Sequence, residues 1–167
     1  MNPFDPLRKV MHVDEAAARH GSQAGTVFTN GIFDILRRDH AAFLAEARRL
    51  GECLIVGIPG DAVADASAST CGRPLHGEGD RAFLVAALES VDAVVIFNEP
   101  TPIALLARLK PSVYVTGGDH DMSRLAEAAL VQSWGGHALA LPFSERFAMQ
   151  GRCEALVPEC VAWREEP

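Results

Sequence analysis

Five short apolar runs, Thr26–Thr29, Cys53–Ile58, Ala93–Phe97, Val113–Thr116 and Ala138–Leu141, constrain this chain more than any other feature. They are rich in Val, Ile and Leu and do not alternate with polar residues. A strand with one solvated face alternates, whereas a strand covered on both faces does not. The pattern therefore predicts a parallel sheet with helices on both sides. Helical spacing fills the gaps. Phe43, Leu44, Ala47 and Leu50 repeat across 40–50, before Gly51. Phe83, Leu84, Ala87 and Leu88 repeat across 80–90. Thr101-Pro102 pairs an N-cap residue with a first-turn proline, opening a helix that runs to about Leu109. Asp121 or Ser123 starts another, ending near Gly135-Gly136, and a first helix over 14–20 precedes the sheet. Such alternation gives right-handed crossovers and an α/β fold with a doubly wound, five-stranded parallel sheet. Ligands of such folds bind at the carboxyl ends of the strands, where the strand order reverses.

A length of 167 residues suits one domain, expected over 1–157, with 158–167 as a tail. Hydrophobic residues make up 49%, enough for a core without disulfides or metals. No apolar run nears the roughly 18 residues of a membrane helix, and MNPFDPLRKVMHVDE has no secretory h-region. The cytoplasm is the default compartment. The net charge of −7 and the lack of any basic run longer than Arg37-Arg38 or Arg48-Arg49 argue against nucleic acid as a partner. A small anion stays open, because a local site can be positive on an acidic chain. None of the four cysteines forms a C-x-x-C pair, so no zinc knuckle is expected. Cys53 opens a strand and reads as a core thiol; Cys71, Cys153 and Cys160 read as free thiols in a reducing compartment.

The richest segment runs Val27-Phe28-Thr29-Asn30-Gly31-Ile32-Phe33-Asp34-Ile35-Leu36-Arg37-Arg38-Asp39-His40. A buried strand ends at Asn30-Gly31, a charged loop follows, and a helix begins. A helix start after the first strand of such a sheet is a natural anion site, and the loop arginines add to it.

This segment resembles the cytidylyltransferase-like nucleotidyltransferases, and more closely the D-glycero-β-D-manno-heptose 1-phosphate adenylyltransferases. That family reads V-F-T-N-G-x-F-D-I/L-L-H-x-G-H here. The resemblance continues through Leu54-Ile55-Val56-Gly57, Gly72-Arg73-Pro74, Glu78-Gly79-Asp80-Arg81 and Leu88-Glu89-Ser90-Val91-Asp92. It goes on through Thr101-Pro102, Gly117-Gly118-Asp119 and Trp134-Gly135-Gly136, covering about 12–150. It implies a Rossmann-like nucleotidyltransferase that passes AMP from ATP to a sugar 1-phosphate, with Mg assisting and pyrophosphate leaving. The expected partners are nucleotide and sugar-phosphate small molecules, with a homodimer as one possible assembly.

The resemblance assigns His40 and Arg37 to the catalytic phosphates. It assigns Thr29, Asn30, Gly31, Phe33, Asp34, Arg38, Gly117 and Asp119 to the nucleotide and its phosphates, and Arg73 and Arg81 to the second substrate. Plainer roles stand beside these. His40 can simply open its helix, Asp34 can close an Asx-turn, and Gly31 can serve a tight strand exit. Arg81 can pair with Glu78 or Asp80 on its own helix. Asp119-His120-Asp121 has metal-like residue types, but a three-residue run seldom gives one ion three ligands. His12, His20, His76 and His137 read as surface residues, and Trp134 and Trp163 as packing residues.

The chain also departs from the family. H-x-G-H is replaced by Arg37-Arg38-Asp39-His40. Asp39 puts a carboxylate where glycine lets phosphate approach, and it is placed to be the N-cap of its helix. Two like charges about 4 Å apart repel by about 4 kcal/mol at an effective dielectric near 20. Arg37 can replace the lost histidine as a phosphate clamp, though not as an acid. Pro59, Thr116 and Phe147-Ala148-Met149 stand where the family has Asn, Lys and Ser-Thr-Thr, and 66–71 lacks the usual lysine. Three functions follow: a sugar-phosphate nucleotidyltransferase, a non-catalytic binding or regulatory relative, or an enzyme for a less charged ligand.

Overall fold

The computed structural model describes residues 5–21, 25–67, 74–118 and 121–142. After a 3-10 turn at Pro6–Lys9 the elements are α1 (Val13–His20), β1 (Thr26–Asn30), α2 (Arg38–Arg48), β2 (Cys53–Pro59), α3 (Asp61–Ser67) and α4 (Glu78–Ala86). Then follow β3 (Ala93–Phe97), α5 (Ile103–Leu109), β4 (Val113–Gly117), a 3-10 turn at Met122–Arg124, α6 (Ala126–Ser133) and β5 (His137–Leu141). Every strand lies within one residue of its expected bounds. The sheet is wholly parallel, in the order β3-β2-β1-β4-β5. The chain leaves β1 toward β2 and β3, then returns to β1's other side for β4 and β5. The order thus reverses at β1, and the β1–β4 crevice is where a ligand is expected.

Side-chain alternation along β1 sends Val27 to one core and Phe28 to the other. Val27, Leu54, Val56 and Ile58 pack with Phe43, Leu44 and Ala47 of α2 and with Ala82, Val85 and Ala86 of α4. Phe28, Ile55 and Val95 pack with Ala16 of α1, with Leu105, Leu106 and Leu109 of α5, and with Val131 of α6. Both faces are covered, which is why the strands carry no polar alternation. Phe28 stacks on Tyr114 with ring centroids 6.2 Å apart. Gly57 makes room for it, since a Cβ there would lie 2.8 Å from the Phe28 ring.

The helix ends show where local signals were overridden. The 3-10 turn capped by Asp121 precedes α6, which starts only at Ala126. The helix α5 begins after Pro102, so Thr101 is not its cap, and it ends on Lys110 in the left-handed region at φ 45°. The helix α3 was not expected, because Val63 and Ala64 are too few apolar positions to show a period. No helix among the described residues is long and apolar enough to cross a membrane. The expected tail 158–167, Cys71, Cys153, Cys160, Trp163 and Phe147-Ala148-Met149 lie outside the described residues.

Candidate functional site

At the carboxyl end of β1 the chain turns sharply. The Gly31 N–H donates to the Gly57 carbonyl at 3.1 Å. A Cβ on Gly31 would lie 2.9 Å from the Phe33 ring, so this position needs glycine. Phe33 itself sits at φ 50°, a conformation that costs a non-glycine residue roughly 1–2 kcal/mol. Its ring is 8% exposed and meets the His40 imidazole edge-on, with centroids 5.6 Å apart. Burial of the phenyl ring offsets the backbone cost and ties the loop to the start of α2. On the neighbouring strand, Tyr114 Oη donates to Asn30 Oδ1 at 3.2 Å. Burial, with a smaller push from Glu127, raises this tyrosine's pKa to about 12, so it remains a donor.

The helix α2 opens differently from the sequence expectation. Arg37, not Asp39, is the N-cap, and Asp39 is the second helical residue. The Arg37 carbonyl accepts from the Ala41 N–H at 3.1 Å, while the Arg37 N–H donates to His40 Nδ1 at 3.2 Å. These two bonds start the helix before Asp39. The Asp39 carboxylate instead accepts from Arg37 Nε at 3.0 Å and Nη2 at 2.5 Å, and from the His40 N–H at 3.1 Å. It therefore does hold one first-turn amide. The Arg37 guanidinium beside it holds its pKa low; burial works the other way, and the charges of His40 and Arg37 and the His40 amide add to the lowering. Burial lowers the His40 pKa, partly countered by Asp39 and by the Ile35 backbone, with Arg37 adding to the lowering. At neutral pH His40 is thus a neutral hydrogen-bonding group, its Nδ1 already accepting from Arg37.

Arg81 does not pair within its helix and is not open to a ligand's anion, because its fork is filled by the protein's own acceptors. Its side chain is fully buried. Nε donates to the His76 carbonyl (3.1 Å), Nη1 to Ile32 (3.0 Å), and Nη2 to Pro59 (2.9 Å) and to Asp61 Oδ1 (2.8 Å). One cation thus joins the β1–α2 loop, the end of β2 and the segment before α4. Asp34 joins two of these again. It closes no Asx-turn but accepts from the N–H of Leu75 at 3.0 Å and of His76 at 2.9 Å. Burial acts to raise the Asp34 pKa, but those two amides and the adjacent His76 ring outweigh it and hold the carboxyl below its usual value. At the neighbouring corner, the first residues of α3 and α4 exchange carboxylates. The Glu78 N–H donates to Asp61 Oδ1 (2.7 Å) and the Asp61 N–H to Glu78 Oε2 (2.8 Å). Each carboxylate meets the positive end of the other's helix.

The structure thus brings Thr29, Asn30 and Gly31 to the end of β1, Phe33 and Asp34 into the loop, and Arg37, exposed Arg38 and His40 to the start of α2. Gly117 ends β4 alongside, two residues past the last β1–β4 pair, Thr29↔Val115. Thr29 Oγ1 is buried and meets no hydrogen-bond partner among the described residues. Arg73, Asp119 and His120 lie outside the described residues. Sequence reasoning missed Asp61, Glu78 and His76, whose roles are contacts across 17 to 42 positions. Trp134 packs as expected, its Nε1 donating to the Pro111 carbonyl at 3.0 Å. Cys53 is half-buried, and burial with nearby Asp92 pushes its thiol up to about 11 against the pull of Arg48.

Among the described residues no group of three or more His, Cys, Asp or Glu side chains is placed to hold a metal ion. Asp34 and Asp39 are committed to amides and to Arg37. A dedicated protein cage for Mg therefore does not fit these residues. Mg ordinarily keeps waters and uses few carboxylates with substrate phosphates.

Comparison with known proteins gives a consistent picture. The Cytidylyltransferase-like family profile matches residues 28–140. A D-beta-D-heptose 1-phosphate adenylyltransferase of Bordetella bronchiseptica is 50% identical over 117 residues, 70% of this chain and 72% of that one. The bifunctional protein HldE of Streptomyces coelicolor is 44% identical over 128 residues, 76% of this chain but 27% of that protein. Among solved structures, a lipopolysaccharide core biosynthesis protein of Thermoplasma volcanium superposes with a TM-score of 0.62 at 25% identity, covering 73% of this chain and 98% of that one.

Proposed function

The chain belongs to the cytidylyltransferase-like family, and from that premise we propose that it transfers AMP from ATP to a heptose 1-phosphate, releasing pyrophosphate. The observation that carries the proposal is the 50% identity to the Bordetella adenylyltransferase over most of both chains. The enzymatic relatives weigh against a purely regulatory role. In the reaction a sugar-phosphate oxygen bonds to the α-phosphorus. The bond from that phosphorus to the bridging oxygen breaks, and its electron pair leaves with pyrophosphate. The protein's task is to position the reactants and neutralise charge.

In this proposal the triphosphate lies at the start of α2, where the helix dipole favours anions. His40, Arg37 and Arg38 hold phosphates, His40 as a neutral group. Thr29, Asn30, Gly31 and Gly117 line the β1–β4 crevice, and buried Phe33 holds the loop shape. Asp34 and Arg81 act from behind, fixing the loops. Mg enters with the nucleotide, as its phosphates' counter-ion, and Asp119 and Arg73 keep the roles the family gives them. A homodimer in the cytoplasm is part of the same reading; light scattering at the mass of a single chain would remove the dimer.

The test is pyrophosphate release with MgATP and heptose 1-phosphate. Release that requires both substrates is expected. No release with any heptose phosphate, despite a folded protein, would refute the proposal.

A further inference from the structure

We infer that Tyr114 is a positioning residue for the nucleotide site: its hydroxyl fixes the Asn30 amide so that the NH2 group, not the oxygen, is turned to the ligand. The inference rests on the reading that the nucleotide occupies the β1–β4 crevice. Asn30 is the last residue of β1. The β1–β4 ladder ends one residue earlier, at Thr29↔Val115, so the two strands part beside Asn30, at the point where the sheet order reverses. A ligand at the carboxyl ends of these strands meets this side chain.

Tyr114 reaches Asn30 from inside the core. It stands opposite Phe28 in the β1–β4 register, and the two rings stack with centroids 6.2 Å apart. Phe28 and Asn30 share one face of β1 by alternation. The phenol runs along that face to the Asn30 amide, with Oη 3.2 Å from Oδ1. Both aromatic residues are buried, so packing holds the hydroxyl in place.

The direction of this bond decides what Asn30 offers. A buried O–H has to hand its proton to an acceptor. Asn30 Oδ1 takes it here; with the amide turned over, the phenol proton would have no acceptor among the described residues. With its oxygen engaged, the planar amide carries Nδ2 on the other branch. Asn30 is only half-buried, and its Nδ2 is neither bonded to nor sealed in by the described residues. Two N–H donors are thus held ready for phosphate or ribose oxygens, which are acceptors. Without the phenol hydroxyl the amide can present either end, and the wrong end sets oxygen against oxygen. Fixing it beforehand removes an ordering cost from binding.

Tyr114→Phe keeps the ring on Phe28 and removes only the hydroxyl. By calorimetry it is expected to bind MgATP about threefold or more weakly than the parent protein; a smaller loss overturns the inference. In an Asn30→Ala background the same change is expected to alter MgATP affinity by less than about twofold, since the two residues act as one unit. A larger effect there overturns it as well. The side-chain NH2 resonance of Asn30, identified by its absence in Asn30→Ala, is expected to shift when MgATP is added, which a purely structural amide would not do; no shift overturns the inference. A thermal melt shows whether Tyr114→Phe is folded. If it is not, Asn30→Asp carries the test, because its carboxylate still accepts from the phenol but turns an oxygen to the ligand. MgATP is then expected to bind about tenfold or more weakly, and a smaller loss overturns the inference. Pyrophosphate release with heptose 1-phosphate is measured alongside. Release without the Tyr114→Phe loss sinks the positioning role alone; the loss without release sinks the heptose reading alone; no saturable MgATP binding by the parent protein sinks both.

Discussion

Arg81 and Asp61 form an ion pair at 2.8 Å in which the arginine is wholly buried and the aspartate half exposed. The pair is lopsided because Asp61 is only one of four acceptors. The other three are backbone carbonyls of Ile32, Pro59 and His76. Arg81 thus sets the spacing of three segments at the carboxyl edge of the sheet.

Arg81→Met is expected to destabilise the fold by about 3–5 kcal/mol, because it strips several buried acceptors of their donors at once. Arg81→Lys keeps the charge but lacks the planar fork that reaches separated carbonyls. It is expected to cost less, about 1–3 kcal/mol. Urea unfolding of the three proteins gives the comparison. A lysine variant as stable as the parent would show that charge alone is needed.

Asp34 holds Leu75 and His76 by their amides, and its pKa is lowered, so its contribution has a definite pH sign. Stability from a carboxylate with a depressed folded pKa is present above the unfolded value, near 4, and is lost as pH falls through the folded value. Asp34→Ala is therefore expected to cost about 1–3 kcal/mol at pH 7. The gap to the parent should narrow below about pH 4. A gap that stays constant into acid would show that packing, not the ionised carboxylate, matters.

His40 gives a second pH test with its own window. Its folded pKa is depressed, so the neutral ring is favoured in the fold. The unfolded chain binds the proton more readily, and stability falls as pH drops below about 6.5. His40→Asn is expected to lose part of that slope between pH 7 and 5. Thermal melts across this range decide it; an unchanged slope would place the titration elsewhere.

These long-range contacts mark the limit of what the sequence discloses. The strands were legible because a strand covered on both faces has to be apolar throughout, as Cys53–Pro59 and Ala93–Phe97 are. The start of α2 was misplaced because Asp39 is a common N-cap residue and Arg37 is not. Arg37 caps through its backbone, with His40 Nδ1 accepting from its N–H, and side-chain preference does not encode that. Arg81 was read as a substrate-facing or locally paired cation because backbone carbonyls leave no mark in a sequence. The partners of Asp34 lie 41 and 42 positions away. Phe33 at φ 50° was equally hidden, since phenylalanine does not advertise a left-handed backbone.

Gly31 connects that backbone to the site. Gly31→Ala places a Cβ where the Phe33 ring now lies, 2.9 Å away. The ring is expected to shift off His40, raising the KM for ATP about tenfold or more while costing about 1–3 kcal/mol of stability. Steady-state kinetics with a parallel melt checks both. An unchanged KM would mean that the Phe33 loop does not shape the nucleotide site.

The most direct measurement follows the phosphorus atoms of ATP. With ATP labelled at the α-phosphate and heptose 1-phosphate as acceptor, the label is expected in a sugar nucleotide; with γ-labelled ATP it is expected in pyrophosphate. Label reaching the sugar from the γ-position, or no labelled sugar product at all, would contradict nucleotidyl transfer.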